Sequence, residues 1–314
     1  MRERATTASE KPSAEREQQH PHQHPQQGKE RDALLFGLGA VLLWSTVATG
    51  FKLGLAVMAP VQLLFLGTCL SAIIFAAAAA PRGWPRREPV LKDGILFGIV
   101  NPVLYYLVLL EAYDRLPAQI AQPLNYTWAI VLAVLAVPVL GQRLTGRTLG
   151  GIAIGYLGVL VLLSQGRFDV LPDLDGFGLA LAVLSTVLWA GYWLYNARST
   201  ADPTALMATS FCFAVPVLAL LCLLGPGLPE PSLENLAYGA WVGAIEMGFS
   251  FLLWQQALRR SAEAGRISQL IFLSPFISLI LIGTVLGETI HLTSWLGLGI
   301  IVLGLLITGR PASS

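Results

Sequence analysis

The sequence contains few charged residues, cysteines and histidines. Lys, Arg, Asp and Glu make up 12% of its 314 residues, about half the share found in soluble proteins. The three cysteines, Cys69, Cys212 and Cys222, lie in apolar stretches, so no disulfide framework is expected. Beyond residue 32, His291 is the one histidine, and no set of His, Asp and Glu has metal-ligand spacing. These shortages exclude an ordinary soluble protein and argue against a metal-dependent enzyme.

Most of the chain is apolar: hydrophobic residues make up 54% of it, and the mean hydropathy is +0.64. They are gathered in ten runs, and a membrane-spanning helix needs about 20 residues. The runs cover residues 33–57, 60–80, 90–112, 117–138, 145–163, 176–199, 203–224, 236–258, 264–286 and 291–309. Lipid tolerates helices or closed barrels, and the runs lack the alternation of barrel strands. The predicted fold class is therefore an all-α membrane protein with ten transmembrane helices.

The first 32 residues are polar and rich in Gln, His, Glu and Arg. Such a segment cannot bury enough apolar surface to fold, so a disordered cytoplasmic tail is predicted over residues 1–32. It has no short apolar core before a small-residue cleavage site, so it is not expected to be a signal peptide. The run from His20 to His24 could hold a metal weakly, but a plain solvated tail is favoured because the segment offers no preformed geometry.

The basic residues predict the orientation of the chain. With the N-terminus in the cytoplasm, 17 of the 20 lysines and arginines fall in the tail or in cytoplasmic segments. The opposite side holds only Arg115 and Arg167, and Lys52 lies within the first run. Cytoplasmic loops of membrane proteins carry an excess of Lys and Arg. Both termini are therefore expected in the cytoplasm.

The chain contains the same five-span unit twice. Aligned landmarks are Trp44 with Trp189, Gly98 with Gly243, Asn101 with Glu246, Leu140 with Leu286, and Gly158 with Gly304. The repeats are residues 33–163 and 176–309, joined by an external linker over 164–175, and residues 310–314 form a cytoplasmic end. Because each unit has an odd number of spans, the second copy is inverted in the bilayer. Two inverted five-helix repeats are the architecture of alternating-access transporters.

Prolines inside the apolar runs predict interrupted helices, beside which inverted-repeat transporters bind substrate near mid-membrane. Pro123 in the fourth run and Pro275 in the ninth lie in equivalent spans of the two repeats. Each leaves a backbone carbonyl without its helical partner, which is tolerated beside a polar neighbour or a wet cavity. A purely structural kink is an equal alternative for any single proline.

Aromatic and amide side chains recur on single faces of the same spans. Gln122, Asn125 and Trp128 are spaced three residues apart, so they share a helix face that points into the bundle. Trp44, Trp128 and Trp189 lie about 15 Å from their helix ends, too deep for interfacial anchors. Bundle packing is the alternative for any one of them, but the set predicts the wall of an amphipathic cavity. The candidate substrate-binding residues are Trp44, Tyr105, Gln122, Asn125, Tyr126, Trp128, Trp189, Tyr192, Trp193, Ser274 and Pro275.

Glu246 lies about ten residues inside the eighth run, where a charge costs around 3 kcal/mol. Ionisable residues inside spans are candidates for function, so Glu246 is a candidate for proton coupling. A protonated or hydrogen-bonded structural acid is the favoured alternative.

The fifth and tenth runs are rich in glycine. Gly151 and Gly155 form a small-xxx-small pair that lets helices approach closely. Packing within each half is favoured over dimerisation, so a monomer is expected.

The five-plus-five repeat and the Leu-Gly-Gln and Leu-Gly-Glu sequences before Gly-rich runs resemble the drug/metabolite transporter superfamily, EamA type. Gln142 departs from the Glu common at that position, and Glu288 keeps it. Within the superfamily, the segment from Asn125 to Trp128 resembles the Asn-Tyr-x-Trp of the YddG-type aromatic amino acid exporters. That resemblance implies a ten-helix monomer of the bacterial inner membrane, with an apolar central cavity, that exports aromatic amino acids and some planar xenobiotics.

The expected function is secondary transport of aromatic amino acids out of the cytoplasm by alternating access. The aromatic walls would stack the substrate ring, while Gln122, Asn125 and freed backbone groups would bind its polar ends. A carrier of another small amphipathic metabolite or of a non-aromatic amino acid is the alternative, and an enzyme is not expected. The expected partners are a small-molecule substrate and the lipid bilayer, without a cofactor or nucleic acid. Uniport, proton antiport and exchange all fit the sequence.

Overall fold

A computed structural model of the chain describes residues 25–82, 88–141, 145–167, 173–196, 198–199, 201–261 and 267–308. All regular elements in these ranges are helical, and they form ten spans in chain order. The first half consists of Pro25–Ser45 with Val47–Leu55, Pro60–Ala79, Glu88–Gly98 with Ile99–Leu104 and Tyr105–Arg115, Ala118–Tyr126 with Trp128–Leu140, and Gly146–Leu163. The second half consists of Gly176–Asn196, Pro203–Leu224, Leu233–Trp241 with Val242–Phe249 and Ser250–Arg260, Gln269–Leu273 with Ser274–Val285, and Leu292–Thr308. The all-α, ten-span fold class is confirmed.

Eight of these spans are long and apolar enough to cross a membrane. The ninth and tenth, Gln269–Val285 and Leu292–Ile307, are apolar but shorter. Because successive spans run in opposite directions, their connections meet at two ends of the bundle. We call the end where the first span begins the N-terminal side, and the end that carries the 164–175 connection the linker side.

The first span begins earlier than predicted. Its helix starts at Pro25, so the prediction of a disordered tail is wrong for residues 25–32. Proline suits the first position of a helix, and the Gln, Lys, Glu and Arg that follow are good helix formers. Once the apolar run is helical, extending the helix by a few residues is far easier than starting a new one. The remainder of the predicted tail with its histidines, Gln142, and residues 310–314 lie outside the described residues.

Helix contacts repeat when the two halves are exchanged. The first and second spans both pack on the eighth span of the other half. Their repeat equivalents, the sixth and seventh, both pack on the third. The second and seventh spans contact each other, and so do the fifth and tenth, which are repeat equivalents. These pairings are those of two five-helix repeats related by a two-fold axis, as the inverted-repeat prediction requires.

Single residues follow the same symmetry. A Cβ on Gly98 of the third span would lie 2.7 Å from the carbonyl oxygen of Ser210 in the seventh. In the mirrored contact, Gly243 of the eighth span approaches the backbone of Gly67 in the second. Ser210 and Gly67 are themselves equivalents when Cys212 is aligned with Cys69. The repeat therefore preserves the close approach of whole helices as well as the sequence landmarks.

The fifth and tenth spans meet along their glycines. A Cβ on Gly158 would lie 2.7 Å from the carbonyl oxygen of Gly297, and a Cβ on Gly304 would lie 2.5 Å from that of Gly151. The prediction that these spans pack within each half is therefore wrong. The physical reason is that the two-fold axis sets each glycine face opposite its own equivalent, where both helices lack side chains and can approach most closely.

The third and eighth spans are interrupted at equivalent positions. Each contains a segment of wide, π-helical turns, Ile99–Leu104 in the third and Val242–Phe249 in the eighth. In the third span Asn101 has extended backbone angles, φ −143° and ψ 116°, because the following Pro102 disfavours a helical conformation. Wide turns inside membrane helices occur often at functional sites.

The fourth and ninth spans form a second interrupted pair. The fourth breaks at Thr127, four residues after Pro123, and the Thr127 hydroxyl donates to the Leu124 carbonyl at 2.7 Å. The ninth changes from tight 3₁₀ turns to an α-helix at Ser274, beside Pro275. Both breaks lie in the middle of the bundle, where the two halves face each other.

Candidate substrate cavity

A cavity of about 720 Å³ lies between the two halves. Its lining comes from the first, third, fourth, sixth, eighth, ninth and tenth spans. The volume is within the range of about 300–1,000 Å³ that holds small organic ligands. The predicted site residues that line it are Trp44, Tyr105, Gln122, Asn125, Tyr126, Trp128, Trp189, Trp193 and Glu246.

Three predicted site residues lie outside this lining. Tyr192 is stacked on Trp189 at 5.2 Å and meets Phe97 of the third span edge-on, so it supports the wall from behind. Ser274 and Pro275 are buried beside the break in the ninth span. The cavity is instead reached by the residues just before that break, because the 3₁₀ turns rotate Ile271 and Phe272 toward it.

Trp189 is the centre of the aromatic wall. Its ring is stacked on Tyr105 at 4.5 Å, and it meets Trp193 edge-on at 5.8 Å and Trp128 edge-on at 6.4 Å. Trp128 and Trp193 are themselves parallel at 6.4 Å. Rings fixed in this way by their neighbours line the cavity with rigid apolar surface, which suits a planar ligand.

A second aromatic group completes the wall from the eighth span. Trp44 meets Phe251 and Trp254 edge-on, each at 5.5 Å. Phe251 and Trp254 are not among the site residues predicted from the sequence. With Leu258 they follow the spacing i, i+3, i+7, so the rule that identified the sixth-span aromatics would have found them.

Few polar groups face the cavity, and the Asn125 amide is already engaged. Its Oδ1 accepts from the Tyr105 hydroxyl at 3.3 Å, and its Nδ2 donates to Ser185 Oγ at 2.9 Å. Gln122 also lines the cavity, and its buried Oε1 has no hydrogen-bond partner among the described residues. The same is true of the Trp193 indole nitrogen. Both atoms are fully buried, so each lies behind the cavity surface rather than on it.

Glu246 brings a carboxyl group to the cavity from the wide turns of the eighth span. Its Oε1 accepts from the Tyr106 hydroxyl at 2.8 Å, and its backbone carbonyl accepts from the Trp44 indole at 3.3 Å. The side chain is half-buried, whereas its repeat equivalent Asn101 is buried. In the described part of the chain, no group of three or more His, Cys, Asp or Glu is placed to hold a metal ion.

Contacts between the halves close the linker side. The Glu288 carboxylate accepts from the backbone nitrogens of Ala118 at 2.8 Å and Gln119 at 3.2 Å, at the start of the fourth span. The Gln119 side chain donates to the Thr289 carbonyl at 2.9 Å and accepts from the Ser294 hydroxyl at 2.8 Å. A carboxylate is favourable there because the first N–H groups of a helix lack helical partners and carry partial positive charge.

At the same end, Lys52 ties the first span to the third. Its ammonium donates to the backbone carbonyls of Tyr113 at 2.9 Å and Leu116 at 3.2 Å. In the opposite direction the cavity extends to Leu258, Gln269 and the last turns of the tenth span. Gln269 is exposed there, so the cavity faces the N-terminal side.

Comparisons with known proteins agree with this architecture. Residues 32–164 and 176–310 each match the model of the EamA-like transporter family. The aromatic amino acid exporter YddG of Ancylobacter novellus is 29% identical over 261 residues, which are 80% of this chain and 87% of that protein. The uncharacterized inner membrane transporter YedA of Escherichia coli K12 is 25% identical over 287 residues, covering 87% and 90%.

A solved crystal structure has the same fold. It superposes with a TM-score of 0.64 at 22% sequence identity and covers 88% of this chain and 96% of the other. The family model covers nearly all of both repeats. The chain therefore belongs to the EamA-like transporter family, and it is a multi-pass membrane transporter rather than an enzyme.

Proposed function

We propose that this protein is a secondary transporter that exports aromatic amino acids, and with them some planar xenobiotics, across a bacterial inner membrane. The observation that carries the proposal is the wall of aromatic rings around a mid-membrane cavity between two inverted repeats. Trp44, Tyr105, Trp128 and Trp189 come from both halves, so a ring stacked among them would contact both. Moving the halves against each other would then open the site to either side of the membrane.

The name of the Ancylobacter novellus relative supports the same substrate class. The segment Asn125-Tyr126-Thr127-Trp128, which carried the resemblance to that subgroup, lies along the cavity with all but Thr127 in its lining. The ring stacking is independent of this likeness because it follows from the positions of the side chains.

The orientation of the basic residues makes the N-terminal side cytoplasmic, with both termini in the cytoplasm. The cavity then faces the cytoplasm, as it must to load a substrate for export. Release on the other side requires the Glu288 and Gln119 contacts to break. A monomer is also proposed, since the glycine faces of the fifth and tenth spans are used within one chain.

The test is transport of labelled phenylalanine and tryptophan into proteoliposomes that contain the purified full chain. Trp128→Ala removes one face of the wall, and Asn125→Ala removes an amide that fixes Tyr105. Trp128→Ala is expected to lower transport by about tenfold or more, because aromatic truncation in a packed site costs a few kcal/mol. Asn125→Ala is expected to lower it by about tenfold, because it removes two hydrogen bonds worth about 1 kcal/mol each. Tyr156→Ala and Asn235→Ala are matched controls, since Tyr156 is exposed on the fifth span and Asn235 lies near the linker side.

Unchanged phenylalanine and tryptophan transport in both site variants would show that the cavity is not the transport site. Competition by unlabelled amino acids distinguishes the alternative function. If aliphatic amino acids or another amphipathic metabolite compete and aromatic amino acids do not, the aromatic substrate class is wrong while the transporter assignment is unaffected.

A further inference from the structure

The described lining of the cavity carries an acidic side chain and no basic one. Glu246 is the one acidic residue in its described lining, which contains no Lys, Arg or His. Lys52, the basic residue within the first span, gives its ammonium to the carbonyls of Tyr113 and Leu116 instead. A ligand that entered with a negative group would find no cation to pair with it in this lining.

The geometry of Glu246 leaves one oxygen for a ligand. Tyr106 donates to Oε1 at 2.8 Å, and the Trp44 indole holds the backbone carbonyl at 3.3 Å, so the residue is fixed from two sides. Oε2 makes no hydrogen bond to the described residues, and the side chain lines the cavity. A carboxylate in such an apolar site is stabilised by a cation that both pairs with it and donates hydrogen bonds.

The neighbouring groups favour the same ligand chemistry. An ammonium group carries three N–H donors, and the unpartnered Oε1 of Gln122, which is buried in this conformation, would become a second acceptor if the amide rotated toward the cavity. Trp44, Tyr105 and Trp128 line the same cavity, and aromatic rings attract cations. The Trp193 indole N–H is buried in this conformation, and if exposed it would give a substrate carboxylate no more than a single neutral hydrogen bond. Charge-assisted hydrogen bonds are about twice as strong as neutral ones, so the amino end is the better held.

We propose that Glu246 binds the ammonium group of the substrate and that the cavity therefore selects aromatic amines and amino acids over aromatic carboxylates. This inference rests on the proposed function, because it takes the aromatic cavity as the transport site. It adds a polarity to that site: the substrate amino group lies toward the eighth span, and the ring lies against the wall around Trp189.

The experiment is isothermal titration calorimetry on the purified full chain at pH 7 with three ligands that share a phenyl ring. They are 2-phenylethylamine, which is a cation, phenylalanine, which is a zwitterion, and 3-phenylpropionate, which is an anion. The amine is expected to bind at least about tenfold more tightly than the acid, because only the amine makes a charge-assisted hydrogen bond. Glu246→Gln is expected to weaken amine binding by about tenfold or more and to leave acid binding unchanged or tighter.

Glu234→Gln is the matched control. It makes the same chemical change in the same span, in an exposed first turn on the linker side, and should retain the preference for the amine. Tyr106→Phe removes the partner of Oε1 but keeps the carboxylate, so it should also retain the preference. Gel filtration and thermal unfolding of each variant show whether it is folded.

Equal affinity of the wild-type chain for amine and acid would overturn the proposal without any variant. A Glu246→Gln chain with an unchanged amine-to-acid ratio would also overturn it. In both cases, binding of phenylalanine would leave the proposed function standing. If none of the three phenyl ligands binds and an aliphatic amino acid does, the proposed aromatic substrate class fails instead.

Discussion

Glu288 Oε1 lies 2.8 Å from the backbone nitrogen of Ala118, so a carboxylate from the second half caps the fourth span of the first half. We predict that Glu288→Ala opens the linker side. Loss of a helix cap costs about 1–2 kcal/mol, which would shift the balance between closed and open forms by about 5- to 30-fold. Opening is measured by labelling a cysteine introduced as Val47→Cys, since Val47 lines the cavity. The parent chain for this experiment has Cys69, Cys212 and Cys222 replaced by Ala.

A membrane-impermeant thiol reagent applied to the linker side should label this cysteine faster in the Glu288→Ala chain. Glu288→Gln keeps a side-chain acceptor, so its cysteine should be labelled at a rate between those of the parent and the Glu288→Ala chain. Glu230→Ala removes another acid from the linker side, away from the fourth span, and should label as slowly as the parent. Equal labelling in all four chains would mean that the Glu288 contact does not hold the linker side closed.

The glycine seam between the fifth and tenth spans should be sensitive to a single methyl group. A Cβ on Gly158 meets the backbone of Gly297 and Ile301, neither of which can move away without separating the helices. Gly158→Ala is expected to lower the melting temperature by several degrees, since overpacking costs about 1–3 kcal/mol. Gly150→Ala is the control, because nothing lies within 4 Å of a Cβ there. The melting temperatures are measured by thermal unfolding in detergent. Equal values for the two variants would contradict close packing of the fifth and tenth spans at Gly158.

Ser185 should position Asn125 without contacting substrate. It accepts from Asn125 Nδ2 at 2.9 Å and donates to the Ala182 carbonyl at 2.6 Å. Ser185→Ala is expected to raise the KM for phenylalanine about two- to tenfold, the worth of one neutral hydrogen bond. Among the described residues, the buried Ser210 hydroxyl bonds to the Leu206 carbonyl of its own helix and to no other group, so Ser210→Ala should leave the KM unchanged. A KM that rises equally in both chains would point to general loosening rather than to positioning of the amide.

Proton coupling through Glu246 remains a prediction, and transport with and without an imposed pH gradient tests it. The titratable groups around the carboxyl are phenols: Tyr106 on the third span bonds to it, and Tyr105 and Tyr126 lie along the same cavity. These phenols are neutral near pH 7, so Glu246 is the cavity-lining group that would carry the proton. Glu246→Gln should abolish that effect. If the pH gradient does not change the transport rate of the wild-type chain, Glu246 has no role in proton coupling.

The positions of the spans followed from the sequence because they depend on local hydropathy. The boundary at Pro25 did not, since polar helix formers extend an apolar helix without any hydrophobic signal. The aromatic wall was found in large part from helical spacing, which brings Trp189 and Trp193 onto one face. Tyr192 was included by the same spacing, but it lies at the edge of that face and packs on Phe97 instead.

Sequence by itself determined the membrane class and the number of spans, because both depend on the order and spacing of apolar residues. It also determined the doubling of the chain, because the same landmark residues recur in the same order in both halves. The tertiary structure decided which helices touch across the repeat axis. It paired Gly158 with Gly297, brought Glu288 to the start of the fourth span, and left one Glu246 oxygen facing a ring of aromatic side chains. The first two contacts join residues 139 and 170 positions apart, and spacing along one helix carries no information about such partners.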